Sequence, residues 1–194
     1  MKPINISDIK NIAEYEKIRA DFRARIIEIK KRRRVSVGPK ITFLFENRDT
    51  VLSQIQEMMR AERIVYDDKI QNEIDVYNQL LPGQNELSAT MFIEITQNEQ
   101  IKSELDKLLG LTRNDYVSIT IGEDCRVSAI FEEGHEEDNK VSAVQYVRFR
   151  FSEAAKKLFL SGTSEVGIAI NHPNYTVKID IPKDVYQSLV TDFE

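Results

Sequence analysis

Glu57, Glu62, Glu73 and His172 come closest, by type and spacing, to a hard metal site in this chain. Carboxylates with one imidazole suit Mg, Mn or Fe rather than a thiolate-binding metal. Glu62 is the pivot. On a regular helix at about 100° per residue, with Val51 as zero, Ile55 lies near ~40°, Met58 near ~340° and Glu62 near ~20°. A carboxylate therefore falls inside the apolar stripe of FENRDTVLSQIQEMMRAERI, residues 45–64. A carboxylate buried there needs an arginine, a metal or a shared proton. Glu57 lies off the stripe, near ~240°, and Glu73, near ~300° from Ile70 on the next helix, shares a flank with Leu80. Two readings compete: a carboxylate site for a metal or cationic ligand, or a structural network with Arg48, Arg60 or Arg63. In the second reading the helix also has the option of fraying before Glu62.

A second constellation is the run Lys30, Lys31, Arg32, Arg33, Arg34. Five adjacent cations suit phosphate, nucleic acid or an acidic partner. They equally suit the C-terminus of a long helix, where positive charge meets the negative end of the dipole. Residues 1–82 carry 16 Lys and Arg against 13 Asp and Glu, a balance of +3. Residues 83–194 carry 11 against 19, a balance of −8, which brings the chain to −5. That acidic bulk, with no nucleic-acid motif, argues against nucleic acid and for the helix terminus.

Two turns hold the histidines. EEGHEEDN, residues 132–139, is dense in carboxylates but lacks the spacing of a calcium loop, so a solvated acidic turn is expected. In NHPNY, residues 171–175, His172 precedes proline and is held extended. Its imidazole suits a general base or a ligand, or a simple bond to a backbone carbonyl. Phosphate-loop, dinucleotide, zinc-protease and nucleophile-elbow motifs are all missing from the sequence. The single cysteine, Cys125, rules out an internal disulfide and fits a packed thiol in a reducing compartment. No apolar run approaches the ~20 residues that span a bilayer. The expected location is cytoplasmic, away from membranes.

The elements that must position these residues divide at Gly83. At 194 residues, 41% hydrophobic and 30% charged, one globular domain is expected. Ser7 is a candidate cap for a long first helix reaching about Arg33, with the stripe Tyr15, Ile18, Phe22, Ile26 and Ile29. Left open, that stripe would be an unusual apolar patch, so the chain's own fold or a second copy should cover it. Ile41, Phe43 and Phe45 alternate as a half-buried strand. Asn47 or Asp49 caps the second helix, and Asp67 or Asp68 the third. After Gly83, period-two segments dominate: 86–95, 116–122, 125–132, 141–151, 165–170 and 175–181. Short turns between them predict a mainly antiparallel sheet, and helices in runs predict an α+β class. The expected domain is 1–194, with residues 1–82 mostly helical and packed on a sheet built mostly from 83–194.

Five segments together resemble a known family: YEKIRADFRARIIEIKKRRRVSVGP, TFLFENRDTVLSQIQEMMRAERI, EIDVYNQLLPGQNELSATMFIEI, AVQYVRFRF and NHPNY. In order and spacing, over nearly the whole chain, they are similar to the domain-of-unknown-function family 3501. The resemblance carries no catalytic residue. It implies a cytosolic role beside an iron–sulfur or rubrerythrin-type redox system, since genes of that family lie next to such oxidoreductase genes. The expected function is a non-catalytic accessory or interaction protein with a protein partner in that system and no cofactor of its own. The alternatives are an enzyme or metal-binding protein with the carboxylate site, and a phosphate or nucleic-acid binder through Lys30 to Arg34.

Overall fold

The computed structural model describes residues 1–132, 136–137 and 140–193. Its centre is one antiparallel sheet of eight strands. In chain order the strands are β1 (Arg34–Val37), β2 (Ile41–Phe45), β3 (Glu86–Ile93), β4 (Val117–Ile121), β5 (Cys125–Phe131), β8 (Val144–Arg150), β9 (Val166–His172) and β10 (Tyr175–Asp180). A separate two-stranded ribbon, β6 (Glu136–Glu137) with β7 (Lys140–Val141), rises between β5 and β8. In the sheet the order is β1-β2-β3-β8-β5-β4-β9-β10. The class is α+β, as the sequence predicts. The hairpin β1–β2, from the helical half of the chain, is built into the same sheet.

Alternation decides the two faces. Ile41, Phe43 and Phe45 of β2 meet Leu87, Ala89 and Met91 of β3 and Val147 and Phe149 of β8 in the main core. Each fully buried side chain of that size contributes about 1.5–3 kcal/mol of hydrophobic stabilisation. The same core takes Val117, Ile119 and Ile121 from β4 and Ile168 and Ile170 from β9, so all these inner faces line one interior. Three more helices close that interior: α4 (Ile101–Asp106), α5 (Glu153–Ser161) and α6 (Lys183–Val190), which bring Leu108, Phe159, Val185 and Leu189. The sheet curls until its outer strands meet. The Tyr175 hydroxyl on β10 donates to Val37 O on β1 at 2.6 Å and accepts from Lys40 N at 3.2 Å. Gly38, at φ +71°, makes room there, since a Cβ would stand 2.6 Å from that hydroxyl.

Helices α1 (Ile12–Lys31), α2 (Arg48–Ala61) and α3 (Asp67–Asn78) form a second layer with its own core of Val51, Ile55, Met59, Ile70, Ile74 and Leu81. This layer covers the outer face near β2, β3 and β8, which is why β2 is buried on both faces and not half-buried. Thr90, the β3 partner of outward-facing Leu44, hydrogen-bonds Glu46 at the start of α2.

Helix starts follow cap chemistry. Asn47 caps α2, accepting from Thr50 N at 3.0 Å, and Ser152 caps α5, accepting from Ala155 N at 3.2 Å. The expected cap at Ser7 is corrected. Residues Ile6–Asp8 form only a 3-10 turn, and α1 begins at Ile12 behind Asn11, whose side chain accepts from Glu14 N at 3.0 Å. The reason is tertiary. The buried Gln56 side chain of α2 holds Lys10 at both backbone atoms, at 2.8 and 3.0 Å, and keeps that stretch extended. The third helix begins at Asp67 behind Tyr66, so Asp67 and Asp68 stand in its first turn and neither is the cap.

Along α1, Tyr15 and Ile26 are buried, Phe22 is half-buried and Ile18 is 37% exposed. The stripe is thus only partly covered. Phe22→Ala is expected to cost about 1–2 kcal/mol, less than the 3–5 of a fully buried phenylalanine. Thermal unfolding of the variant checks this, and a larger loss would mean that Phe22 is covered in solution.

Candidate functional site

The sequence-predicted metal residues are not brought together. Glu62 is exposed at the C-cap of α2. The helix ends there because Arg63 adopts φ +54° and Ile64 N bonds back to Met59 O at 2.9 Å, the αL closure that terminates many helices. Half-buried Ile64 then packs on the second core in the place where a continued helix would have put Glu62. The expectation that Glu62 points into the apolar interface is therefore wrong. Its side chain forms no ion pair among the described residues.

Glu57 is committed to α1. It accepts from Tyr15 Oη at 2.7 Å, from Arg19 Nε at 2.9 Å and from Arg19 at a second nitrogen at 2.8 Å. The Arg19 fork holds the Glu57 carboxyl below its usual range, against the upward push of burial and with help from Tyr15. Burial, then Glu57, pushes the Tyr15 phenol well above its usual range. The pH consequence has a definite sign. A depressed carboxyl contributes stability above its unfolded pKa and loses it as pH falls through the folded value. Arg19→Met should therefore flatten the loss of stability on acidification below about pH 4.5. Chemical denaturation of both proteins between pH 3 and 7 measures it (range chosen around the usual carboxylate values, about 4).

His172 is buried at the end of β9. Its Nδ1 accepts from Asn174 N at 3.2 Å, so Nε2 carries the proton and donates to Leu109 O at 3.1 Å. Tyr116 meets the ring edge-on. Both nitrogens are engaged, and the imidazole ties the β9–β10 turn to the segment after α4. Among the described residues no three His, Cys, Asp or Glu side chains are grouped to hold a metal. His135 lies outside the described residues.

The basic run is split three ways. Lys30 and Lys31 end α1, as dipole chemistry predicts, and Arg32 is its C-cap. Arg34 opens β1 and lies 3.7 Å from Glu94. Arg33 is fully buried. It donates to Phe45 O at 2.8 Å, Glu46 O at 3.0 Å, Ser188 Oγ at 3.2 Å and the Asp192 carboxylate. The alternative of a five-cation patch at Lys30 to Arg34 is thus reduced to four accessible cations flanking one interior ion pair, while the expected helix terminus accounts for Lys30, Lys31 and Arg32.

None of these candidates lines the cleft that the fold forms elsewhere. A hollow of about 360 Å³ opens on the outer face of the sheet, where β3, β8 and β5 lie side by side below the end of α3. Period two sends Ser88, Tyr146, Arg148 and Ile130 outward, while Leu80 and Gln79 come from the turn after α3. Glu132, just past β5, closes one side. Arg148 is anchored on the other. It donates to Glu86 Oε2 at 2.9 Å, to Leu81 O at 3.2 Å and to Gln79 O. Burial pushes the Glu86 carboxyl up, but Arg150, the Gly83 N–H and Arg148 outweigh it and hold it below the usual range.

Behind the cleft stands Glu46, which the sequence reading missed. Its carboxylate is 1% exposed and accepts only neutral donors: Thr50 Oγ1 at 2.5 Å, Thr90 Oγ1 at 2.7 Å and Gln54 Nε2 at 3.1 Å. The N-terminus of α2 beside it adds favourable positive potential. One signal was legible: Thr42, Leu44 and Glu46 continue the outward period of β2 into a helix start. The negative charges mark two phenols. Burial, then Glu132 and Glu46, pushes Tyr146 up, and burial, then Glu73 and Tyr146, pushes Tyr77 up. The hollow can therefore grip an apolar group by its walls and a polar end by Tyr146 or Glu132.

Among the described residues no helix is long and apolar enough to cross a membrane. No curated protein matches the chain. A crystal structure described as a novel protein of unknown function from Burkholderia pseudomallei superposes with a TM-score of 0.92 at 34% identity, covering 100% of both chains. The family model described as protein of unknown function (DUF3501) matches residues 3–193, and the chain belongs to that family.

Proposed function

We propose that this protein is a non-catalytic interaction protein that receives a partner at the outer-face cleft. The partner class follows the family resemblance: an iron–sulfur or rubrerythrin-type redox protein. One observation carries the site. The cleft is a preformed hollow whose wall combines apolar side chains with Tyr146, Glu132 and an arginine already braced by Glu86 and two carbonyls. Binding surfaces are enriched in such rigid tyrosine and arginine anchors. The polar groups there show bracing rather than a nucleophile–base pair, which favours binding over turnover. The carboxylate-enzyme reading draws no support from Glu57, Glu62, Glu73 and His172, which lie apart. The nucleic-acid reading loses Arg33 to the interior.

The test uses the purified full chain, a purified rubrerythrin-type partner and calorimetry. Tyr146→Ala is expected to weaken binding by at least tenfold, the size of an anchor loss of about 1.4 kcal/mol. Binding that is absent in the unaltered protein, or unchanged in a folded Tyr146→Ala variant, overturns the proposal.

A further inference from the structure

We infer that the groove between α1 and α2 is a second docking surface, and that its occupant is an amphipathic helix of a partner protein, with one basic and one acidic residue beside its apolar stripe. The groove shares no lining residue with the outer-face cleft. Two ridges form it. Ile18, Phe22 and Arg25 follow one another at four and three residues on α1, and Asp49, Leu52 and Gln56 at three and four on α2. Contacts from Tyr15 to Glu57 and from Arg25 to Asp49 show that the two helices run antiparallel. Rows of this spacing, side by side, leave a furrow that accepts the ridge of a third helix. The hollow measures about 440 Å³ and lies open: Ile18 is 37% exposed, and Phe22 and Leu52 are half-buried. The stripe of α1 thus keeps apolar surface that the chain's own fold leaves uncovered.

Charge selects the occupant. Four charged residues line the hollow: Asp8, Lys10, Asp21 and Arg25. Two of them are matched inside the chain. Asp8 pairs with Arg48 at 2.6 Å, and Arg25 meets Asp49 at 3.1 Å and lies over the Phe22 ring at 5.5 Å. Lys10 is held through its backbone by Gln56, and its ammonium has no partner among the described residues. The exposed Asp21 carboxylate has none either, so the two do not pair with each other. One free carboxylate and one free ammonium therefore flank an apolar floor. A ligand of one sign is repelled at one of them, whereas a helix with a base and an acid beside its apolar stripe meets both. The polar groups nearest the floor are spent, Tyr15 Oη on Glu57 and the Gln56 amide on Lys10. The floor itself thus offers apolar contact, which disfavours a small polar molecule that needs several convergent polar groups.

The probe is a designed helical peptide of about 16 residues, long enough to follow the groove. It carries leucine at i, i+4 and i+7, with one lysine and one glutamate beside them to meet Asp21 and Lys10. A second peptide exchanges the lysine and the glutamate, and a third replaces the leucines by serine. The ring signal of Phe22 in the ¹³C-labelled full chain reports binding. The first peptide is expected to shift that signal and to bind about tenfold tighter than the exchanged one, since two exposed pairs turn from attraction to repulsion. The serine peptide should leave the signal in place. Asp21→Lys, at an exposed position, should cancel most of the preference, and Ile18→Asp should abolish binding, with circular dichroism to establish that both variants fold. Tyr146→Ala should change nothing here, so this surface and the cleft are tested apart. An unmoved Phe22 signal, equal binding of the first two peptides, a preference unchanged in Asp21→Lys, or binding unchanged in a folded Ile18→Asp variant each overturns the inference. Self-association of the parent chain in sedimentation, lost in Ile18→Asp, also overturns it, since a second copy would then be the occupant.

Discussion

Arg33→Met should destabilise the protein by about 3–5 kcal/mol, the usual cost of removing one partner from a buried ion pair. The expected loss is that large because Asp192 stays behind, buried, with one carboxylate oxygen that already has no hydrogen-bond partner. Burial pushes the Asp192 carboxyl up, and Arg33 opposes that push. Arg33 also gathers Phe45 O, Glu46 O and Ser188 O, three carbonyls from two distant stretches of chain. It therefore clamps the end of β2 to the C-terminal helix. Urea unfolding measures the effect. The double variant Arg33→Met, Asp192→Leu should recover part of the loss, since an apolar pair of similar volume replaces the uncompensated charge. A single variant within 1 kcal/mol of the parent would contradict the burial of this pair (about the value of an exposed pair).

Glu46→Ala is the second large effect, expected at about 2–4 kcal/mol. Removing the carboxylate leaves a cavity and takes the shared acceptor from Thr50, Thr90 and Gln54. These three groups come from α2 and β3, so the carboxylate staples the helical layer to the sheet. Glu46→Gln should cost less, since it keeps the shape and one acceptor oxygen. Thermal unfolding of both variants gives the ranking, and Gln more harmful than Ala would show that the site requires charge rather than an acceptor. Binding at the cleft should weaken in Glu46→Ala as well, because Thr90 is the cross-strand neighbour of Tyr146.

Local pattern alone determined much of this protein. Period two marked β3, β4, β5, β8, β9 and β10, since alternate side chains of a strand face opposite sides whatever lies beyond them. Asn47 was legible for the same reason: a cap is satisfied within a few residues. The antiparallel α+β class followed from short connections. Tertiary structure decided the rest. In a run of five cations nothing local distinguishes Arg33 from its neighbours, and its burial is set by acceptors at residues 45, 46, 188 and 192. Glu62 fits the helical stripe by angle, but the stripe ends one turn earlier because Ile64 finds a place on the second core and Arg63 turns the chain. Ser7 looked like a cap until Gln56 claimed the backbone at Lys10. The cleft joins residues 79–80, 88, 130–132 and 146–148, and it exists only because β3, β8 and β5 become neighbours. Periodicity tells which face of an element is apolar. Which faces meet, and which charge is carried inside with them, depends on contacts between residues far apart in the chain.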